Sequence, residues 1–144
     1  MYSEADRTFM KILLIDDSRF LRVSNERALT RAGHQVITAS DGEEGLRLAI
    51  DQIPDLIVLD MMLPKMSGPD VLHALRKSPA TAAIPVMVLT SLPQANEDRL
   101  ITEGATAYFE KSLLTLDKGS THFVEAVEKM LRTSVKAKTN PPST

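Results

Sequence analysis

Asp16-Asp17, Asp60, Thr90-Ser91 and Glu110-Lys111 each follow a short run of apolar residues, and together they make a set of acids, hydroxyls and an amine. If folding gathers them, the carboxylates of Asp16, Asp17 and Asp60 repel one another unless a cation lies between them. Oxygen donors with no His or Cys beside them suit Mg²⁺, with Mn²⁺ as the alternative. Mg²⁺ keeps several waters and shares phosphate oxygens, so such a set suits a phosphoryl group better than a permanent metal cage. Lys111 would add a second positive charge, and Thr90 a hydroxyl for a third phosphoryl oxygen. Asp60 is then the nucleophile, because carboxylates take up phosphoryl groups as aspartyl phosphates. Taken singly, each residue has a plainer role. Asp17 or Ser18 could cap a helix, Asp60 could end a strand in a turn, and Tyr108 could simply pack on a sheet.

What would gather them is a parallel sheet, since ligands of open α/β sheets collect beyond the carboxyl ends of the strands. Short runs rich in Val, Ile and Leu predict strands at Lys11 to Ile15, Gln35 to Ala39, Asp55 to Leu59, Val86 to Leu89 and Ala107 to Phe109. Amphipathic stretches alternate with them. Phe20 to Ala32 repeats apolar residues at Leu21, Ala28, Leu29 and Ala32, and Glu43 to Ile53 does so at Leu46, Ala49, Ile50 and Ile53. Gly68-Pro69-Asp70 opens a third helix carrying Val71, Leu72 and Leu75. Pro93 to Glu103 is a weaker helix closed by Gly104, and Thr121 to Arg132 carries Phe123, Val124, Val127, Met130 and Leu131 on one stripe. The fold class is α/β, with helices on both faces of the sheet.

At 144 residues with a net charge of −2, the chain is one ordinary domain without the basic surface that nonspecific nucleic-acid binding draws on. The absence of cysteine removes disulfides, thiolate nucleophiles and cysteine metal sites, and fits a reducing compartment. The longest aliphatic runs are far below the roughly 18 residues of a membrane span. Residues 1–9 read as an N-terminal tail unlike a secretion signal, residues 10–132 as the domain and 133–144 as a disordered tail, giving a cytoplasmic protein as the expectation. His34, His73 and His122 share no ligand spacing and read as surface or boundary residues; Met61, Met62 and Met66 read as filling space beneath the site.

Asp16-Asp17, Asp60-Met-Met-Leu-Pro-Lys-Met-Ser-Gly68, Thr90-Ser91, Gly104-Ala105 and Tyr108-Phe-Glu-Lys111 resemble, in order and from about Lys11 to Arg132, the receiver domain of two-component response regulators, here of a stand-alone type. The resemblance implies a flavodoxin-like (βα)5 fold with strand order 2-1-3-4-5, an order that a chemotaxis receiver exemplifies. It implies that Asp60 is the phosphoacceptor, that Asp16, Asp17, Asp60 and the backbone carbonyl of Met62 hold Mg²⁺, and that Lys111 contacts the phosphoryl group. Thr90 and Tyr108 match the switch pair whose coupled movement remodels the surface of the fourth helix, fifth strand and fifth helix. The implied partners are a sensor histidine kinase or phosphotransfer protein upstream and a protein target downstream, with a homodimer through that same surface as a further arrangement.

Receivers commonly follow the lysine with proline. Here Ser112 stands in that place, which favours a trans bond, and the long connection from Ser112 to Gly119 offers Leu113, Leu114 and Leu116 for local packing. Met62 and Leu92, two residues after Asp60 and Thr90, are apolar and cannot orient an attacking water, so dephosphorylation is expected to be slow. Two readings compete: a receiver-like interaction module that works without phosphorylation, and a Mg²⁺-dependent phosphatase, which would lack a general acid at Met62.

Overall fold

The computed structural model describes residues 10–91, 97–115 and 118–139. Five parallel strands, β1 (Lys11–Ile15), β2 (Gln35–Ala39), β3 (Leu56–Asp60), β4 (Val86–Thr90) and β5 (Ala107–Glu110), form one sheet in the order β2-β1-β3-β4-β5. The intervening helices are α1 (Arg19–Arg31), α2 (Gly42–Gln52), α3 (Gly68–Lys77), α4 (Glu97–Thr102) and α5 (Gly119–Thr139). The expected flavodoxin-like topology is the one observed. β3 and β4 are buried along their whole length, as the unbroken apolar runs require of central strands flanked on both faces.

Successive residues of each strand face opposite layers. Leu13, Ile15, Ile57, Leu59, Val86 and Val88 pack with Ala49 of α2, Val71, Leu72 and Leu75 of α3 and Leu100 of α4. Ile12, Leu14, Leu56, Val58, Met87 and Leu89 pack with Leu29 of α1 and with Phe123, Val127, Met130 and Leu131 of α5. Phe123 meets Phe109 edge-on, with centroids 5.7 Å apart at 76°.

Several boundaries differ from the sequence reading for local reasons. β3 begins at Leu56, and Asp55 just before it is doubly tied to β1: its N–H donates to the Lys11 carbonyl at 2.8 Å and its side chain accepts the Lys11 N–H at 2.9 Å. β3, β4 and β5 each run one residue further, into Asp60, Thr90 and Glu110. The buried face of α2 is Gly42, Gly45 and Ala49, whereas Ile50 and Ile53 are 44% and 48% exposed. A Cβ on Gly45 would lie 2.5 Å from Ile15 Cδ1, so α2 rides on β1 through glycine and not through its isoleucines. α5 continues to Thr139, past the tail boundary read at Arg132, because Ser134 to Thr139 contain no Gly or Pro and so nothing that halts a helix already nucleated on the core. The tail residues 1–9, Leu92 to Asn96, Leu116 and residues 140–144 lie outside the described residues.

His34 is not a surface residue. Its side chain is buried, Nδ1 accepts the Met10 N–H at 3.2 Å, and Nε2 faces Glu128 Oε2 at 3.3 Å, tying α5 to the sheet end away from the strand carboxyl termini. His73 and His122 are exposed.

Candidate functional site

β1 and β3 are adjacent and in register, Ile15 against Leu59, so the residues that leave them, Asp16 and Asp60, come side by side at the carboxyl edge. Asp16, Asp17 and Asp60 each bring a carboxylate oxygen within 4.8 Å of the others. Asp16 and Asp60 are fully buried and Asp17 is exposed, so the cluster opens to solvent on one side. β5 reaches the same edge beyond β4, and Lys111, the first residue after it, places Nζ 3.1 Å from Asp60 Oδ1 and 3.0 Å from Oδ2. The Met62 N–H also donates to Asp60 Oδ1, at 3.0 Å.

Short backbone turns hold the acids in place. Asp16 Oδ1 accepts the Ser18 N–H at 2.9 Å, and the Arg22 guanidinium donates to the Asp16 carbonyl at 2.8 Å. Ser18, not Asp17, caps α1, its hydroxyl accepting the Leu21 N–H at 3.3 Å, which leaves the Asp17 carboxylate for the pocket. On the other side Ser67 caps α3 through the Asp70 N–H at 3.3 Å, and the Gly68 N–H reaches the Met61 carbonyl at 3.3 Å. A Cβ on Gly68 would meet Met61 Cα at 2.5 Å and the Asp60 carbonyl at 2.8 Å, so glycine is what lets α3 begin against the chain that leaves Asp60.

Asp16 Oδ2 is buried and has no hydrogen-bond partner among the described residues. Burial above all raises the Asp16 carboxyl from its ordinary 3.8 to about 6; the Asp60 carboxylate adds to the rise, and the Ser18 N–H and Lys111 oppose it. An orphaned carboxylate oxygen among three acids, with oxygen as the only donor type, fits a hard divalent cation such as Mg²⁺.

Thr90 is buried at the end of β4, and Ser91 is exposed beside it. Both border a cleft of about 280 Å³ shared with Met61, Pro69 and Leu100. Tyr108, half-buried on edge strand β5, packs against the layer that contains α4. The Lys111-Ser112 bond is trans, as the missing proline suggested, and Lys111 to Thr115 form a 3₁₀ turn whose Leu113 and Leu114 pack on the α5 layer. Met61 and Met66 fill space beneath the site as expected, but Met62 does not: it is 67% exposed, because its backbone turns inward to Asp60 and its side chain outward. The main-chain donors of Ser18 and Met62 and the close approach at Gly68 went unseen in the sequence, since every residue but proline carries an N–H.

The chain matches the response regulator receiver domain family over residues 12–118. The alkaline phosphatase synthesis transcriptional regulatory protein PhoP of Bacillus subtilis is 42% identical over 102 residues, which is 70% of this chain and 42% of that protein. The transcriptional regulatory protein TcrX of Mycobacterium tuberculosis is 40% identical over 109 residues, 74% of this chain and 45% of that protein. The chain thus spans less than half the length of these curated relatives. Among solved structures, the chemotaxis response regulator CheY4 of Vibrio cholerae superposes with a TM-score of 0.73 at 28% identity, over 83% of this chain and 99% of that one. The receiver domain of the Francisella response regulator 1452 does so at 0.77 and 25% identity, over 87% and 98%.

Proposed function

The chain belongs to the response regulator receiver domain family, a family of signalling domains, and from that premise we propose that Asp60 accepts a phosphoryl group from a phosphohistidine of a sensor kinase or phosphotransfer protein. An Asp60 carboxylate oxygen attacks phosphorus, the P–N bond breaks, the imidazole nitrogen leaves with its electron pair, and an acyl phosphate remains on Asp60. The observation that carries this reading is the buried Asp60 carboxylate, met on both oxygens by Lys111 Nζ at 3.0 and 3.1 Å and grouped with Asp16 and Asp17.

Asp16, Asp17, Asp60 and the Met62 carbonyl would hold Mg²⁺, which when bound supplies positive charge for the phosphoryl oxygens. The protein's own groups do the rest. The Met62 N–H orients Asp60 Oδ1 before reaction, and Lys111, already on the carboxylate, transfers its charge to the phosphoryl oxygens as the bond forms. The Thr90 hydroxyl moves to a further phosphoryl oxygen, and half-buried Tyr108 follows it inward. A downstream protein reads the resulting surface of α4, β5 and α5, where a second copy could also dock, and the setting is the cytoplasm of the kinase's signalling side.

Incubation with acetyl phosphate and Mg²⁺, followed by intact-mass measurement, tests the reading. One phosphoryl group per wild-type chain and none on Asp60→Asn is the expected result. Continuous phosphate release would point to a phosphatase, and an unlabelled wild type to a module that works without phosphorylation.

A further inference from the structure

Arg76 of α3 spends its guanidinium on the far end of α4. Nε donates to the Gly104 carbonyl at 2.9 Å, and one terminal nitrogen donates to the carbonyls of Ile84 at 2.7 Å and Ala82 at 3.1 Å. The other lies 3.5 Å from Thr106 Oγ1, which itself accepts the Val86 N–H at 3.0 Å. A single side chain thus joins α3, the segment before β4 and the turn between α4 and β5. That turn closes α4 firmly: the Gly104 N–H bonds to the Ile101 carbonyl and the Ala105 N–H to the Leu100 carbonyl, both at 3.0 Å, with Leu100 and Ala105 buried. Gly104 has φ +114°, and a Cβ there would lie 2.9 Å from Arg76 Cγ, so the residue is glycine both for its backbone and to let the arginine stem pass.

The remainder of α4 is held differently. The cleft of about 280 Å³ lies along its face, between Leu100 and Glu103 on one side and Met61, Pro69 and Thr90 on the other. Arg99, the cation of α4, pairs with Glu103, one residue past the end of the helix, at 3.1 Å. One end of α4 is therefore clamped by a planar fork of donors, and open space adjoins the face that leads to Thr90.

We propose that Arg76 is a positioning residue that serves as the pivot of α4, so that the state of Asp60, sensed through Thr90, is expressed as a tilt of the helix about Gly104 and not as a displacement of the whole helix. The proposal rests on Asp60 being a phosphoacceptor. Filling or emptying the cleft lets α4 tilt without breaking the buried Leu100 and Ala105 contacts, and the carbonyls under Arg76 keep their donors throughout.

Amide exchange and amide chemical shifts of the full chain, wild type, Arg76→Gln and Arg76→Lys, test this. In the unphosphorylated protein, Gly104, Ala105 and Thr106 should exchange about tenfold faster in Arg76→Gln, as loss of the charge-assisted hydrogen bonds to this turn requires, with β1 and β3 unchanged. Unaltered exchange at these three amides overturns the clamp. With acetyl phosphate and Mg²⁺, wild-type shift changes should be large at residues 97–101 and small at 104–106. In Arg76→Gln they should spread into 104–106 at an equal level of Asp60 labelling. Equal changes along 97–106 in wild type overturn the tilt, and Arg76→Lys behaving as wild type overturns the need for the fork. A wild-type chain that takes no label overturns the reading of Asp60 and the tilt with it, while the exchange result still decides the clamp.

Discussion

Asp16 is the residue at which the pocket's electrostatics can be measured without any donor. Its carboxyl is raised from 3.8 to about 6, so between those values the folded chain holds a proton that the unfolded chain releases. This contribution is fully present below about pH 3.8 and lost as pH rises through about 6; at 1.36 kcal/mol per pKa unit it amounts to roughly 3 kcal/mol at most. Urea midpoints of metal-free protein should therefore carry a component that falls across this window, which Asp16→Asn removes and added Mg²⁺ reverses. A rising component from Asp16 would contradict the buried, orphaned oxygen. Met62 permits a second measurement. Its exposed thioether cannot orient water, so the aspartyl phosphate should outlast minutes, and Met62→Asn should shorten its half-life several-fold. The acids, Thr90 and Lys111 were legible in the sequence because chemically unusual side chains follow apolar runs. The Ser18 and Met62 amides were not, because a backbone donor leaves no mark on residue type.

At the scale of elements, the start of α3 is the most demanding junction. Because a Cβ on Gly68 would press on the backbone of Met61 and Asp60, which cannot swing aside as a side chain can, Gly68→Ala should cost about 1–3 kcal/mol. It should also slow labelling of Asp60, a pairing of effects that denaturation and acetyl phosphate kinetics can read side by side. Ser18→Ala should cost about 1 kcal/mol through the lost cap of α1 while leaving Asp17 in place. The type of each strand and α-helix was readable from spacing, but the 3₁₀ turn at Lys111 to Thr115 was read as a plain connection, and ends and faces were read less well. α2 misled because Gly42 and Gly45, which touch the sheet, carry no hydrophobic signal, whereas Ile50 and Ile53 carry a strong one and face outward. At Asp55 the side chain accepts the Lys11 N–H while the backbone N–H still bonds to the Lys11 carbonyl, a pairing that no periodicity encodes.

Across the whole molecule, each layer of the core is knit from several strands, so its largest side chain is a fair probe of global stability. Phe123→Ala, which empties a fully buried position and removes the ring contact with Phe109, should cost about 3–5 kcal/mol, measured as a lowered denaturation midpoint with Asp60 labelling retained below it. Alternation of apolar runs and amphipathic stretches disclosed the α/β class, yet strand order is long-range information absent from any window, and it came only through the family resemblance. The length of α5 has a mechanical corollary. A helix of 21 residues anchored by Phe123, Val127, Met130 and Leu131 acts as a rigid shaft, with its later turns beyond those anchors. At 3.6 residues per turn, each residue spliced in after Arg132 would swing a fluorescent reporter fused to the end by about 100° and advance it by about 1.5 Å. A series of such insertions would turn the azimuth of the shaft into a signal with helical periodicity.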